Sequence, residues 1–102
     1  MRLVIAVLRP ALVESVREAL HAVQVTRMTI GDAQGHRPGG GSPPVQETVI
    51  QIACNDDFVE RAKDAIAGVL AAAGEKAAGR LFTLPLADVM QIYREVRGPE
   101  AV

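Results

Sequence analysis

The sequence predicts an α+β fold built from two half-units, each consisting of a strand, a helix and a second strand. A central loop, residues 35–44, separates the half-units and can form neither a helix nor an inner strand. Its three prolines lack backbone donors, and its four glycines lack side chains that pack. On each side of this loop, apolar runs typical of strands adjoin apolar runs of helical period. The two halves of the chain therefore repeat one pattern.

The first half-unit opens with Leu3–Leu8, a continuous apolar run that is typical of a strand buried on both faces. Pro10 ends this strand because proline cannot donate to a β-ladder. Apolar residues then recur at helical spacing from Leu12 to Val23, which predicts an amphipathic helix. Val25–Gln34 alternates more loosely and predicts the second strand.

The second half-unit begins with Val45–Cys54, whose regular alternation predicts a strand with one buried face. That face carries Thr48, Ile50, Ile52 and Cys54. The side-chain oxygens of residues 55–57 are expected to cap a helix, in which an apolar stripe runs from Phe58 to Ala73. Gly74 is a natural helix end.

The rest of the chain predicts one more strand and a short helical turn. Arg80–Leu84 is the predicted strand, and Pro85 ends it. Ala87–Tyr93 is the predicted helical turn, and the residues from Arg94 onward are expected to form a polar tail.

This order of elements is the split βαβ pattern of ferredoxin-like folds, an antiparallel four-stranded sheet with two helices on one face. A length of 102 residues predicts a single domain, residues 1–102. The sheet face away from the helices carries Val49 and Ala53, so we expect other subunits to bury it.

Composition and charge exclude several functional classes. Apolar residues make up 49% of the chain but aromatic residues only 3%, so the predicted core is aliphatic. A net charge of −1 gives no reason to expect nucleic acid as a partner. Cys54 is the sole cysteine, which excludes an intrachain disulfide and is typical of a reducing cytoplasm. The apolar start ends at Arg9-Pro10 without a signal-peptide cleavage site, so we expect a cytoplasmic protein.

Five segments together resemble the PII signal-transduction family, and the resemblance covers nearly the whole chain in order. They are Arg2–Pro10, Val16–Leu20, Met28–Ile30, Asp56–Asp57 and Gly79–Leu86. The resemblance implies a homotrimer with the ferredoxin-like fold. It also implies an adenine nucleotide in the clefts between subunits, and a T-loop that grips a partner transporter or enzyme. The T-loop equivalent is the central loop.

The resemblance also implies which residues bind. The implied nucleotide-binding residues are Thr29, Gly35, Arg37, Gly79, Arg80, Tyr93 and Arg94. The implied partner-binding residues in the loop are His36, Arg37, Pro38, Gly39, Gly40 and Gly41.

Several positions depart from the family pattern. The central loop is far shorter than usual and lacks the tyrosine that accepts uridylylation. The family's Gly-Asp-Gly-Lys phosphate cradle is replaced by Ala77–Arg80, and its two carboxy-terminal phosphate-binding arginines correspond to Gln91 and Tyr93. Alanine disfavours positive φ, and each lost arginine removes charge-assisted bonds worth roughly 1.5–3 kcal/mol. We therefore expect AMP or ADP to be favoured over ATP. Bicarbonate bound together with the nucleotide stays an open candidate.

No constellation of residues predicts covalent or acid–base catalysis, so we expect a sensor with no catalytic residue, no required cofactor and no metal site. Two alternatives stay open. The first is a trimeric interaction module that has lost nucleotide binding. The second is a metal-tolerance trimer, for which one loop histidine, one cysteine and scattered carboxylates are poor ligands. The sequence does not distinguish a role in nitrogen, inorganic carbon or metal metabolism.

Overall fold

The computed structural model describes residues 1–36, 38, 39, 41 and 43–102, with Lys76 described by its backbone alone. Its main elements are β1 (Arg2–Leu8), α1 (Val13–Ala22), β2 (Thr29–Gly35), β3 (Val45–Cys54), α2 (Asp56–Ala73) and β4 (Arg80–Pro85). The four strands form one antiparallel sheet in the order β2-β3-β1-β4. The predicted ferredoxin-like fold is confirmed. None of the described helices is long and apolar enough to cross a membrane.

One face of the sheet, here called the covered face, packs against both helices. Val4 lies opposite Ile52, and Ala6 lies opposite Ile50, so alternate residues of β1 and β3 meet on this side. The buried sheet residues on this face are Val4, Ala6, Leu8, Thr48, Ile50, Ile52 and Cys54, and the buried helix residues are Val16, Leu20, Val59, Ala62 and Ile66. The alternation predicted for Val45–Cys54 is confirmed, and its bounds match those of β3.

The opposite face of the sheet, here called the open face, is not covered by any helix of the described residues. Leu3, Ile5 and Val7 of β1 lie there, opposite Ala53, Gln51 and Val49 of β3. Phe82 and Leu84 of β4 share this face and are 46% and 49% exposed. An apolar surface of this kind across three strands is unusual unless another molecule covers it.

The start of α2 differs from the prediction, because no side chain of residues 55–57 caps the helix. Asn55 occupies the N-cap position without a side-chain cap bond, and its Nδ2 donates to the carbonyl of Pro99 at 3.0 Å. The N-terminal ammonium of Met1 donates to Asp56 at 3.0 Å. This hydrogen bond and the charge of the ammonium lower the pKa of Asp56. Two of the predicted capping side chains thus contact Met1 and Pro99 instead of the first turn of the helix.

The second strand starts later than predicted, at Thr29 instead of Val25. Gln24 has a φ of 66°, which turns the chain at the end of α1. The Val25 N–H then donates to the carbonyl of Leu20 at 2.9 Å, and the Val25 side chain enters the core. Residues 25–28 therefore belong to the connection, although their apolar spacing resembles a strand.

The carboxy-terminal segment is a hairpin, so the predicted helical turn over Ala87–Tyr93 is wrong. Strand β5 (Met90–Gln91) pairs with β6 (Val96–Arg97), and a 3₁₀ turn lies between them. The expected polar tail is wrong as well, because Ala101 is buried and its carbonyl accepts a hydrogen bond from Gln91 Nε2 at 3.0 Å. Strands of two residues leave no periodic signal, and tertiary contacts decide this segment.

Candidate functional site

A small cavity of about 180 Å³ lies where the central loop leaves the sheet. It is lined by Arg9, Gly35, His36, Val45, Glu47, Ala78 and Arg80. These residues come from the ends of β1 and β2, the starts of β3 and β4, and the turn before β4. One corner of the sheet therefore gathers charged side chains from separate segments of the chain.

The strand register determines which side chains face the cavity. Arg80 is the first residue of β4 and lies opposite Val7, so it shares the open face. Glu47 of β3 lies on that same face, two residues before Val49. Arg9 follows β1 directly, and its N–H donates to the carbonyl of Ala77 at 3.2 Å, which ties the end of β1 to the turn before β4.

Arg80 and Glu47 form the ion pair of the cavity. Arg80 Nη2 lies 3.6 Å from Glu47 Oε1, which is longer than a hydrogen bond. The Glu47 side chain is only 10% exposed, whereas that of Arg80 is 60% exposed. The carboxylate therefore belongs to the wall of the cavity, and the guanidinium reaches out over its mouth.

The backbone of Gly35 lies close to the carboxylate of Glu47. A Cβ placed on Gly35 would overlap the carboxylate of Glu47, so a side chain at this position would displace it. The glycine therefore allows the close approach of two neighbouring strands around a buried acid. The family resemblance implies a nucleotide contact for Gly35, but its packing has this local cause.

The turn before β4 corrects the expectation for Ala77 and Ala78. Ala78 has φ 46° and ψ 35°, a left-handed conformation that costs a non-glycine residue roughly 1–2 kcal/mol. The turn thus keeps a positive φ although alanine replaces glycine. Ala77 is buried beneath it. A Cβ on Gly79 would lie 2.7 Å from Leu70 Cδ1, so close packing against α2 accounts for Gly79.

The cavity brings together some of the predicted ligand residues and leaves others apart. Gly35, His36 and Arg80 line it. Thr29 begins β2 at the end away from Gly35, about 20 Å along the strand. Tyr93 and Arg94 lie in the hairpin turn, exposed and outside the lining of this chain's cavity.

The loop residues divide in a similar way. Pro38, Gly39 and Gly41 are exposed, whereas Arg37 and Gly40 lie outside the described residues. The roles predicted for the loop and for the ligand residues stay predictions.

Sequence reasoning missed two charged residues of the cavity, Arg9 and Glu47. In the sequence, Arg9 marks only the end of an apolar run. Glu47 falls on the strand face that other subunits are expected to bury, beside Val49. A carboxylate on an apolar face is the signal that could have identified the site, because a buried charge needs a partner.

The other reactive groups of the described residues do not form a second site. Burial raises the pKa of the Cys54 thiol, which agrees with its predicted position on the buried face of the strand. Across the part of the chain that the structure describes, no group of three or more His, Cys, Asp or Glu residues could hold a metal ion.

Comparison with known proteins identifies the family to which the chain belongs. Residues 1–96 match the profile of the family described as nitrogen regulatory protein P-II. The chain belongs to the P-II family. Proteins of this family are regulatory signalling proteins and not enzymes, which confirms the prediction of a regulatory protein without catalysis. The resemblance seen in the five sequence segments is confirmed.

Individual relatives extend the match over the full chain. Nitrogen regulatory protein GlnK1 of Methanosarcina mazei is 31% identical over 100% of this chain and 97% of its own length. Nitrogen regulatory protein P-II of Azospirillum brasilense is 26% identical over 100% of both chains. The solved structure of Arabidopsis thaliana PII bound to citrate superposes with a TM-score of 0.86 at 29% identity, covering 99% of this chain and 91% of the plant chain.

Proposed function

We propose that this P-II family member senses an anionic small molecule in the cavity of Arg9, Glu47 and Arg80. The candidate ligand is an adenine nucleotide, AMP or ADP favoured over ATP, with bicarbonate as a second candidate. The observation that carries the proposal is the meeting of two arginines at the base of the central loop. Guanidinium groups pair with phosphate and carboxylate in two-pronged geometry, so both classes of anion suit the cavity.

The size and charge of the cavity favour few phosphates. About 180 Å³ suits one phosphate or carboxylate group, and an adenine ring would need additional surface from a neighbouring subunit. Gln91, which replaces a family arginine, is turned toward the carbonyl of Ala101. Tyr93 carries no positive charge. Relative to the family pattern, these two positions thus supply no cation to neutralise a triphosphate.

In a homotrimer, a neighbouring subunit would supply the additional surface that an adenine ring needs. The open face, with Phe82 and Leu84 at its edge, is the surface that we propose is buried between subunits. Burial of apolar surface stabilises such an assembly by roughly 25 cal/mol per Å², and this gain is its driving force. The exposed hairpin with Tyr93 and Arg94 is then available to a neighbouring cavity, which would bring the two residues to the ligand.

The central loop is the proposed output. His36 lines the cavity and is the first residue of the loop after β2. A ligand held by Arg80 would therefore change the order of the loop, and with it the affinity for a partner protein, a membrane transporter or an enzyme, in the cytoplasm. The citrate bound to Arabidopsis thaliana PII supports including carboxylates among the effectors tested.

The test is isothermal titration of the purified protein with AMP, ADP and ATP, each with and without Mg²⁺ and bicarbonate, and separately with citrate. We expect saturable binding near one ligand per chain, lost in Arg80→Ala. Arg17→Ala is the matched control, because it removes the same charge from α1, where Arg17 pairs with Glu14. Unchanged binding in Arg80→Ala would move the site elsewhere. No heat with any ligand would favour the alternative, a trimeric interaction module without a ligand. In that module Glu47 would occupy Arg80 in place of an anion.

A further inference from the structure

Glu47 places a carboxylate in the lining of a cavity that is proposed to bind anions. It is the one buried carboxylate or basic side chain in the described part of the chain. A buried carboxylate is unfavourable unless it is paired, and among the described residues its ion-pair partner is Arg80. Their separation of 3.6 Å is too long for a hydrogen bond. Packing efficiency alone would favour an apolar side chain here.

The Glu47 carboxylate is nearly buried and packs against the neighbouring strand. The register of β3 places Glu47 opposite Ala33, on the open face. The backbone of Gly35 packs against the carboxylate so closely that a Cβ would overlap it. Arg80 has the opposite character, since its side chain is mostly exposed and free to turn toward solvent. A buried negative group therefore lies beside an exposed positive one.

The described lining of the cavity thus carries two arginines and one glutamate, a net charge of one positive unit with histidine neutral. An incoming anion must share Arg80 with Glu47 or displace it. Each additional negative charge on the ligand adds repulsion from a carboxylate that is shielded from water, where charge interactions are screened least.

We propose that Glu47 is the specificity-determining residue of this cavity. It acts as a tethered carboxylate that occupies Arg80 and restricts the site to ligands with one anionic group, a monophosphate or a single carboxylate. Polyphosphates are selected against, in the order AMP over ADP over ATP. The inference rests on the proposed function, because it takes this cavity to be the anion site.

The test compares the wild type with Glu47→Gln, which keeps the shape of the side chain against Gly35 and removes the charge. Inorganic phosphate, AMP, ADP and ATP are titrated into both proteins. We expect the affinity to rise in the variant by roughly threefold for AMP and at least about tenfold for ATP, since each phosphate adds repulsion that the variant lacks. Glu18→Gln, an exposed change on α1, is the control for net charge and should leave all affinities unchanged.

A second variant tests whether the effect depends on the distance between the carboxylate and Arg80 as well as on the negative charge. Glu47→Asp keeps the charge but withdraws the carboxylate by one methylene from Arg80. We expect affinities between those of the wild type and Glu47→Gln. This variant also serves if Glu47→Gln fails to fold, as judged by circular dichroism and melting temperature.

The outcomes distinguish this inference from the proposed function. Wild-type binding with no charge-dependent gain in Glu47→Gln would overturn the role of Glu47 and leave the sensor intact. Binding that appears only in Glu47→Gln would overturn nucleotide sensing by the wild type and support the tethered carboxylate. An absence of binding by every anion to all variants would overturn both.

Discussion

The covered face and the open face of the sheet are formed by the same strands but differ in what packs over them. On the covered face, Ala6 and Ile50 lie opposite each other and are fully buried under the helices. One residue along each strand, Val7 and Val49 form the corresponding pair on the open face and stay partly exposed. Residue type does not distinguish the two pairs. What differs is whether this chain supplies the second layer.

The comparison indicates where stability and function separate. The covered face is satisfied within one chain, so its residues determine folding. The open face carries the apolar residues of three strands and, at one corner, the charges of Arg80 and Glu47. Under the proposed function, assembly and ligand binding would therefore share the surface that folding leaves unused.

The largest expected effect comes from the covered face. Ile50→Ala should lower the free energy of unfolding by about 2–5 kcal/mol, because it leaves a cavity in a fully buried site. Val49→Ala should cost about 1 kcal/mol or less at high dilution, since Val49 is only partly buried in the single chain. Urea denaturation at two protein concentrations measures both. Equal costs at high dilution would contradict the difference between the faces.

A charge placed on the open face should act on assembly more than on folding. Phe82→Asp puts a carboxylate on a half-exposed apolar site, and burying it between subunits would be unfavourable. We expect sedimentation to show single chains while far-ultraviolet circular dichroism is retained. Phe82→Leu, which keeps an apolar side chain, should stay assembled. Persistence of the trimer in Phe82→Asp would mean that the open face is not the interface.

The same contrast explains how much of the fold was predictable from sequence. Alternation in Val45–Cys54 matches β3 because one face of that strand is buried by the chain itself. Residues 25–28 mimic a strand, but Val25 turns back onto α1 instead. The hairpin of β5 and β6 was missed because its strands of two residues depend on bonds such as Gln91 to Ala101, which no local pattern encodes.

The site was predictable only in part for a similar reason. Arg80 and Gly35 were found through the family pattern, and both line the cavity. Glu47 and Arg9 were missed because their role depends on register and on the turn at Ala78, both of which are tertiary features. The helix cap predicted at residues 55–57 was wrong, because Asn55 makes no side-chain cap bond and its Nδ2 bonds to Pro99 instead, while Asp56 pairs with the ammonium of Met1.

The last prediction compares the faces directly with one thiol. Cys54 lies on the covered face, where burial both blocks access and raises the pKa of the thiol, so little reactive thiolate is present near neutral pH. We expect slow labelling by a disulfide reagent in the native wild type and fast labelling in denaturant. The variant A53C/C54A keeps the composition and moves the thiol to the open face, opposite Leu3.

That moved thiol should react slowly in the assembled protein and quickly when Phe82→Asp is added, because its only cover would be another subunit. Cys54 in a Phe82→Asp chain should stay slow, since helices of the same chain cover it. If dissociation exposed both thiols alike, the covered face would depend on assembly too, and the two faces would form one cooperative unit. If it exposed neither, some part of the same chain would have to close over the open face.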